Sequence, residues 1–123
     1  MNTVYEGDKI VYIQSYGTDR HIKRTKATTA PVTDAYFFTL SPERDIVKED
    51  FDKSKVSKAD MGLMIEVSVP FGEAGLSIAG QEDIVSFLVN TGTLGKDLSV
   101  LQGREVTAYV LGKSLYGIGI ESP

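Results

Sequence analysis

Apolar and polar positions alternate or cluster along this chain in ways that separate strands from helices. Residues 9–16 (Lys-Ile-Val-Tyr-Ile-Gln-Ser-Tyr) are rich in β-branched and aromatic side chains and predict a strand. Gly17-Thr18-Asp19 supplies turn residues after it. Residues 20–31 hold Thr and Ala where large apolar side chains would be needed, Ile22 excepted. They fit a polar edge strand or a mobile loop, and period alone does not decide between the two. Residues 35–40 (Ala-Tyr-Phe-Phe-Thr-Leu) form a continuous apolar stretch that suits a strand buried on both faces.

Ser41-Pro42-Glu43 then reads as a helix start: Ser can cap, Pro fits the first helical position, and Glu43 and Asp45 favour the positive end of the dipole. A short helix is predicted over residues 42–50, with Ile46, Val47 and Phe51 forming a stripe that docks onto the domain. Residues 52–60 read as a solvated loop. In residues 61–70, Ile65, Val67 and Val69 alternate with Glu66 and Ser68, which predicts a central strand that Pro70 ends. Residues 71–80 read as a glycine-punctuated connection. It is not a phosphate loop, since it contains no Gly-Lys-Ser/Thr and its one charged residue is Glu73.

The firmest helix lies over residues 81–91. Ile84, Val85, Phe87, Leu88 and Val89 supply its apolar face, Glu82 and Asp83 occupy its first turn, and Gly92 suits the left-handed stop. Leu98 and Leu101 are placed to pin the following loop to the core. Residues 104–121 read as a β-hairpin turning at Gly112-Lys113, where a leading Gly suits a type II′ turn. Val106, Ala108 and Val110 are expected to share a face with Tyr116, Ile118 and Ile120. Gly117 and Gly119 leave the other face thin, and the long helix is the expected close neighbour. About five strands and one firm helix give an α+β class on a mainly antiparallel sheet, in a single domain spanning 1–123.

Composition narrows the chemistry. With 123 residues there is chain for one core, and 41% hydrophobic with 24% charged residues argues against wholesale disorder. The chain has no cysteine, which excludes disulfides, thiolate metal sites and a cysteine nucleophile. Thirteen Lys and Arg against seventeen Asp and Glu leave a net charge of −4, with no global attraction to polyanions. No run approaches the ~20 apolar residues of a membrane helix, and the first residues lack a signal-peptide pattern. No membrane association is expected, and a cytoplasmic location is.

His21 is the only imidazole, and it sits between Arg20 and Lys23 with no Gly-x-Ser-x-Gly elbow anywhere in the chain. The carboxylates Asp45, Glu49, Asp50, Asp52 and Asp60 are interleaved with Lys48, Lys53, Lys55 and Lys58, without the spacing of a calcium loop. No catalytic residue, no metal site and no cofactor is expected. Basic character is confined to residues 20–26. Arg20, Lys23, Arg24 and Lys26, with Tyr12 and Tyr16 as stacking rings, are the candidate contacts of a single-stranded nucleic-acid binder.

The order of Gly-rich connection, helix ending in Thr91-Gly92, and Leu98-Ser99-Val100-Leu101-Gln102-Gly103-Arg104-Glu105-Val106 resembles small phage and prophage proteins. The likeness covers about residues 72–110 and departs at Leu98, where that pattern carries Trp. It implies a mobile-element context and no catalytic residue. The leading expectation is a non-enzymatic protein acting through protein–protein contact, with self-association through a last strand at a sheet edge.

Overall fold

A computed structural model describes residues 3–14 and 19–121, with backbone alone for 19–21. The elements are β1 (Thr3–Glu6), β2 (Lys9–Ile13), α1 (Asp19–Arg24), β3 (Lys26–Leu40), β4 (Ile46–Glu49), α2 (Lys53–Ser57), β5 (Gly62–Val69), β6 (Gly72–Ile78), α3 (Gln81–Asn90), a 3₁₀ turn (Leu98–Leu101), β7 (Glu105–Leu111) and β8 (Ser114–Glu121). Among the described residues the eight strands make one antiparallel sheet, ordered β1-β2-β8-β7-β3-β5-β6, with β4 added beside β3. The fold is thus sheet-rich α+β, with more strands than the five expected.

The sheet curls. Gln14, just past β2, donates from Nε2 to the Gly75 carbonyl on β6 at 2.9 Å and accepts the Ser77 N–H at 3.3 Å. A side-chain amide thereby makes the two bonds a strand's peptide group would make, and it ties β6 to the β2–β8 side. One face of the sheet holds the main core. Tyr12, Leu63, Ile65, Val67, Leu76 and Ile118 pack there with Ile84, Phe87 and Leu88 of α3, and Leu98 and Leu101 of the 3₁₀ turn close it. On the opposite face Val11, Ile13 and Tyr109 pack under Ile22 of α1.

The alternation of β5, the extent of α3 and the anchoring of Leu98 and Leu101 agree with the sequence pattern. The C-terminal hairpin agrees as well. Leu111 pairs with Ser114, and Gly112 takes a φ of 62° that an L side chain resists.

Several expectations are corrected. Residues 20–31 are neither a loop nor wholly a strand: α1 comes first, and the strand part, Lys26 to Pro31, pairs with β7. Residues 42–50 form no helix. Ser41 and Pro42 also suit the first two positions of a type I turn, and here that reading wins. The Arg44 N–H reaches the Ser41 carbonyl at 2.8 Å and Arg44 takes φ 71°, so the chain turns back into β4. Within residues 52–60, α2 forms because the Asp52 carboxylate accepts from the Ser54 and Lys55 N–H groups. The Ser54 hydroxyl and N–H, the main donors, hold that carboxyl below its ordinary range.

Residues 71–80 are largely strand β6, whose Leu76 and Ile78 alternate into the core behind a glycine-rich start. In β8 a register shift after Tyr109 pairs Val110 with Leu115, so Tyr116 joins the α1 side instead of facing Val110. A Cβ on Gly117 would stand 2.9 Å from Ile22 Cδ1 and 3.1 Å from the Tyr12 carbonyl. The close neighbours are therefore α1 and β2, not the long helix. The last strand is not at an edge: β8 lies between β2 and β7.

Candidate functional site

Among the described residues, Tyr12 does not share a surface with the expected cationic contacts Lys23, Arg24 and Lys26. Tyr12 is 1% exposed, meets Phe87 edge-on at 5.2 Å, and shares its hydroxyl with Ser86 at 2.8 Å and Asn90 at 3.0 Å. A ring held this way is a core residue and cannot stack on a base. Tyr16 and the side chains of Arg20 and His21 lie outside the described residues. Lys23 and Arg24 are exposed on α1, and Lys26 is exposed at the start of β3.

Lys23 lines a groove of about 460 Å³ with Val4, Tyr5, Glu6, Ile22 and Tyr109. Tyr5, which the sequence pattern did not single out, is 75% exposed there. Glu6 brings a carboxylate into the same groove, which opposes a phosphate backbone. Burial, with Glu6 beside it, pushes the Tyr109 phenol above its ordinary value.

A second region is apolar. Phe37 of β3 and Phe51, two residues beyond β4, pack with ring centroids 5.2 Å apart. Together with Leu88, Leu94 and Leu98 they line a pocket of about 390 Å³ with Lys96 at its margin. Phe51 is 49% exposed and Leu94 54%. Neither owes its exposure to a loose loop. The Thr93 and Leu94 N–H groups both reach the Leu88 carbonyl, the Thr91 and Thr93 hydroxyls bond at 2.7 Å, and Arg104 Nη1 donates to the Thr91 carbonyl at 2.7 Å. On the other side Asp52 caps α2, and Lys55 holds Glu49 at 3.3 Å. Phe51 lies between these two anchored residues.

The neighbouring strand β4 pairs only with β3 among the described residues. The Ser41 N–H donates to the Asp45 carbonyl at 2.9 Å and the Asp45 N–H to the Ser41 hydroxyl at 3.0 Å, so both peptide groups of Asp45 face β3. Alternation along β4 then turns the peptide groups of Val47 and Glu49 toward β3 and those of Ile46 and Lys48 outward. Ile46 and Val47 are 50% and 42% exposed. Lys48 stands over the Tyr36 ring at 4.5 Å and reaches Asp34 at 3.4 Å. Burial, and secondarily Glu66, raise the Tyr36 phenol, against the pull of Lys48.

The carboxylates of residues 45–60 do not converge: among the described residues no group of three His, Cys, Asp or Glu could hold a metal ion. Nor is any described helix long and apolar enough to cross a membrane. The sequence pattern missed the pocket because its walls come from distant segments, although Phe51 had stood out as part of a docking stripe. No protein-family model matches the chain, and neither a curated protein nor a solved structure matches it.

Proposed function

We propose that this chain is a non-enzymatic binding module that works through protein–protein contact, including contact with its own copies. The observation that carries the reading is the pocket between Phe37, Phe51, Leu88, Leu94 and Leu98, held open by hydrogen-bonded loops while two of its walls stay half exposed. Burying a Leu or Phe side chain is worth roughly 1.5–3 kcal/mol. A partner side chain seated among these five would therefore form an anchor of the kind that dominates interface energies. Thr93 and Lys96 are the polar side chains at the pocket, too few to orient a polar substrate for reaction. A phage or mobile-element origin accords with the resemblance over residues 72–110 and adds no reaction to the reading.

Light scattering coupled to size exclusion, over a wide concentration range, tests the self-contact. The expected result is a mass that rises above the monomer and returns to it in Leu94→Asp. Leu94 is half exposed, so this variant should keep the wild-type circular dichroism spectrum. A strict monomer at every concentration would remove the support for self-association.

A further inference from the structure

We propose that β4 pairs antiparallel with β4 of a second copy, in the register that sets Lys48 opposite Asp50 of the other chain. The inference rests on the self-contact reading and adds to it the strand edge that lies beside the apolar pocket. An unpaired strand edge is a template for another strand. Among the described residues β4 presents outward peptide groups at Ile46 and Lys48, and the same alternation carried one residue past its end turns Asp50 outward as the chain extends into the pairing. Because those groups alternate, only registers that place an outward residue opposite an outward residue can form hydrogen bonds.

Charge selects among them. Placing Lys48 opposite Lys48 of the second copy sets like charges face to face. Centring the pair on Val47 sets Asp45 against Glu49 of the second copy, again like charges. Centring it on Glu49 forms two Lys48–Asp50 pairs across the twofold axis. That register also sets Val47 against Phe51 of the second copy, on the face that bears the apolar pocket. The two central Glu49 carboxylates face each other, each already held by its own Lys55 at 3.3 Å. Lys48 is 66% exposed in spite of Asp34, so it can take a second carboxylate.

The other strand ends suit self-pairing less. In β1 (Thr-Val-Tyr-Glu) there is no cation to offset Glu6. On β6, Gln14 already bonds to Gly75 and Ser77.

Charge exchange and a single-thiol cross-link test the register. Lys48→Asp and Asp50→Lys should each weaken self-association at least tenfold, and the double variant should restore it. The chain has no cysteine, so Glu49→Cys introduces its only thiol. In the proposed register that thiol faces its copy across a non-hydrogen-bonded pair with Cα atoms about 4.5 Å apart, within disulfide reach. Mild oxidation should give a covalent dimer from Glu49→Cys and little from Lys48→Cys. Cross-linking through Lys48→Cys instead would overturn the register. Self-association that ignores both charge reversals but disappears in Leu94→Asp would overturn β4 pairing and leave the binding-module reading standing. A strict monomer would overturn the pairing and self-association together.

Discussion

The Nε2 of Gln14 lies 2.9 Å from the carbonyl oxygen of Gly75, across a gap that no main-chain ladder spans among the described residues. Its Oε1 accepts the Ser77 N–H, and the residue is 7% exposed, so both peptide groups on β6 depend on a side chain for their partners. Leaving a buried donor or acceptor unsatisfied costs about 1–3 kcal/mol. Gln14→Leu keeps most of the volume and removes both bonds, together with the longer one from Nε2 to the Leu115 carbonyl at 3.4 Å. It should lower unfolding stability by about 2–3 kcal/mol in urea titration and speed amide exchange along β6 first. Unchanged exchange at Ser77 would mean that the curl is held by core packing alone.

Gly117 reports on the opposite face. An alanine Cβ there would meet Ile22 Cδ1 at 2.9 Å, with the Tyr12 carbonyl and Val11 Cγ1 at 3.1 Å. The Ile22 methyl can retreat and the backbone oxygen cannot, so Gly117→Ala should destabilise by about 1–3 kcal/mol. Adding Ile22→Val, which deletes the clashing methyl, should recover part of that loss. A double variant whose effect is the plain sum of the two singles would show that Ile22 is not the obstruction.

These two contacts mark what local pattern does and does not reveal. Alternation in Ile65, Val67 and Val69 and the helical face of Ile84, Phe87 and Leu88 are properties of neighbouring residues, so the sequence shows them directly. The same is true of the turn at Gly112. Strand β6 was hidden because Gly72 and Gly75 blur an alternation that only Leu76 and Ile78 keep. Tyr12 carries the same sequence signature whether its ring faces water or Phe87, and it is tertiary packing that puts it in the core. The apolar pocket joins Phe37, Phe51 and Leu94 from three separate segments, and no local period encodes that meeting.

Arg44 adopts φ 71° in the turn between β3 and β4, a conformation that costs an L residue about 1–2 kcal/mol. Glycine takes it freely, although it gives back part of the gain by loosening the unfolded chain. Arg44→Gly should therefore stabilise the protein by about 0.5–1 kcal/mol, seen as a higher urea midpoint with an unchanged slope. If β4 is the contact between copies, a firmer hairpin should also leave self-association equal or stronger. A lower midpoint would mean that the Arg44 side chain contributes more than its backbone costs.

Tyr109, with Glu6 beside it, is expected to make the fold sensitive to alkali. Burial raises the phenol above its ordinary 10.0, and the charge and hydrogen bond of Glu6 raise it further, since ionisation would place a phenolate against a carboxylate. The folded chain therefore binds this proton more tightly than the unfolded chain does. The stability linked to it is whole below the unfolded value and is lost as pH climbs through the raised folded one. Tyr36, also raised by burial and by Glu66, adds to the same slope. Wild-type stability should thus fall above about pH 10, the ordinary tyrosine value. Tyr109→Phe should begin lower at neutral pH, through loss of the bond to Glu6, and decline less steeply in alkali. Urea midpoints measured across that range, paired with the tyrosinate absorbance titration, separate the two effects. Parallel wild-type and Tyr109→Phe curves would show that the phenol ionises as easily in the folded chain as in the unfolded one.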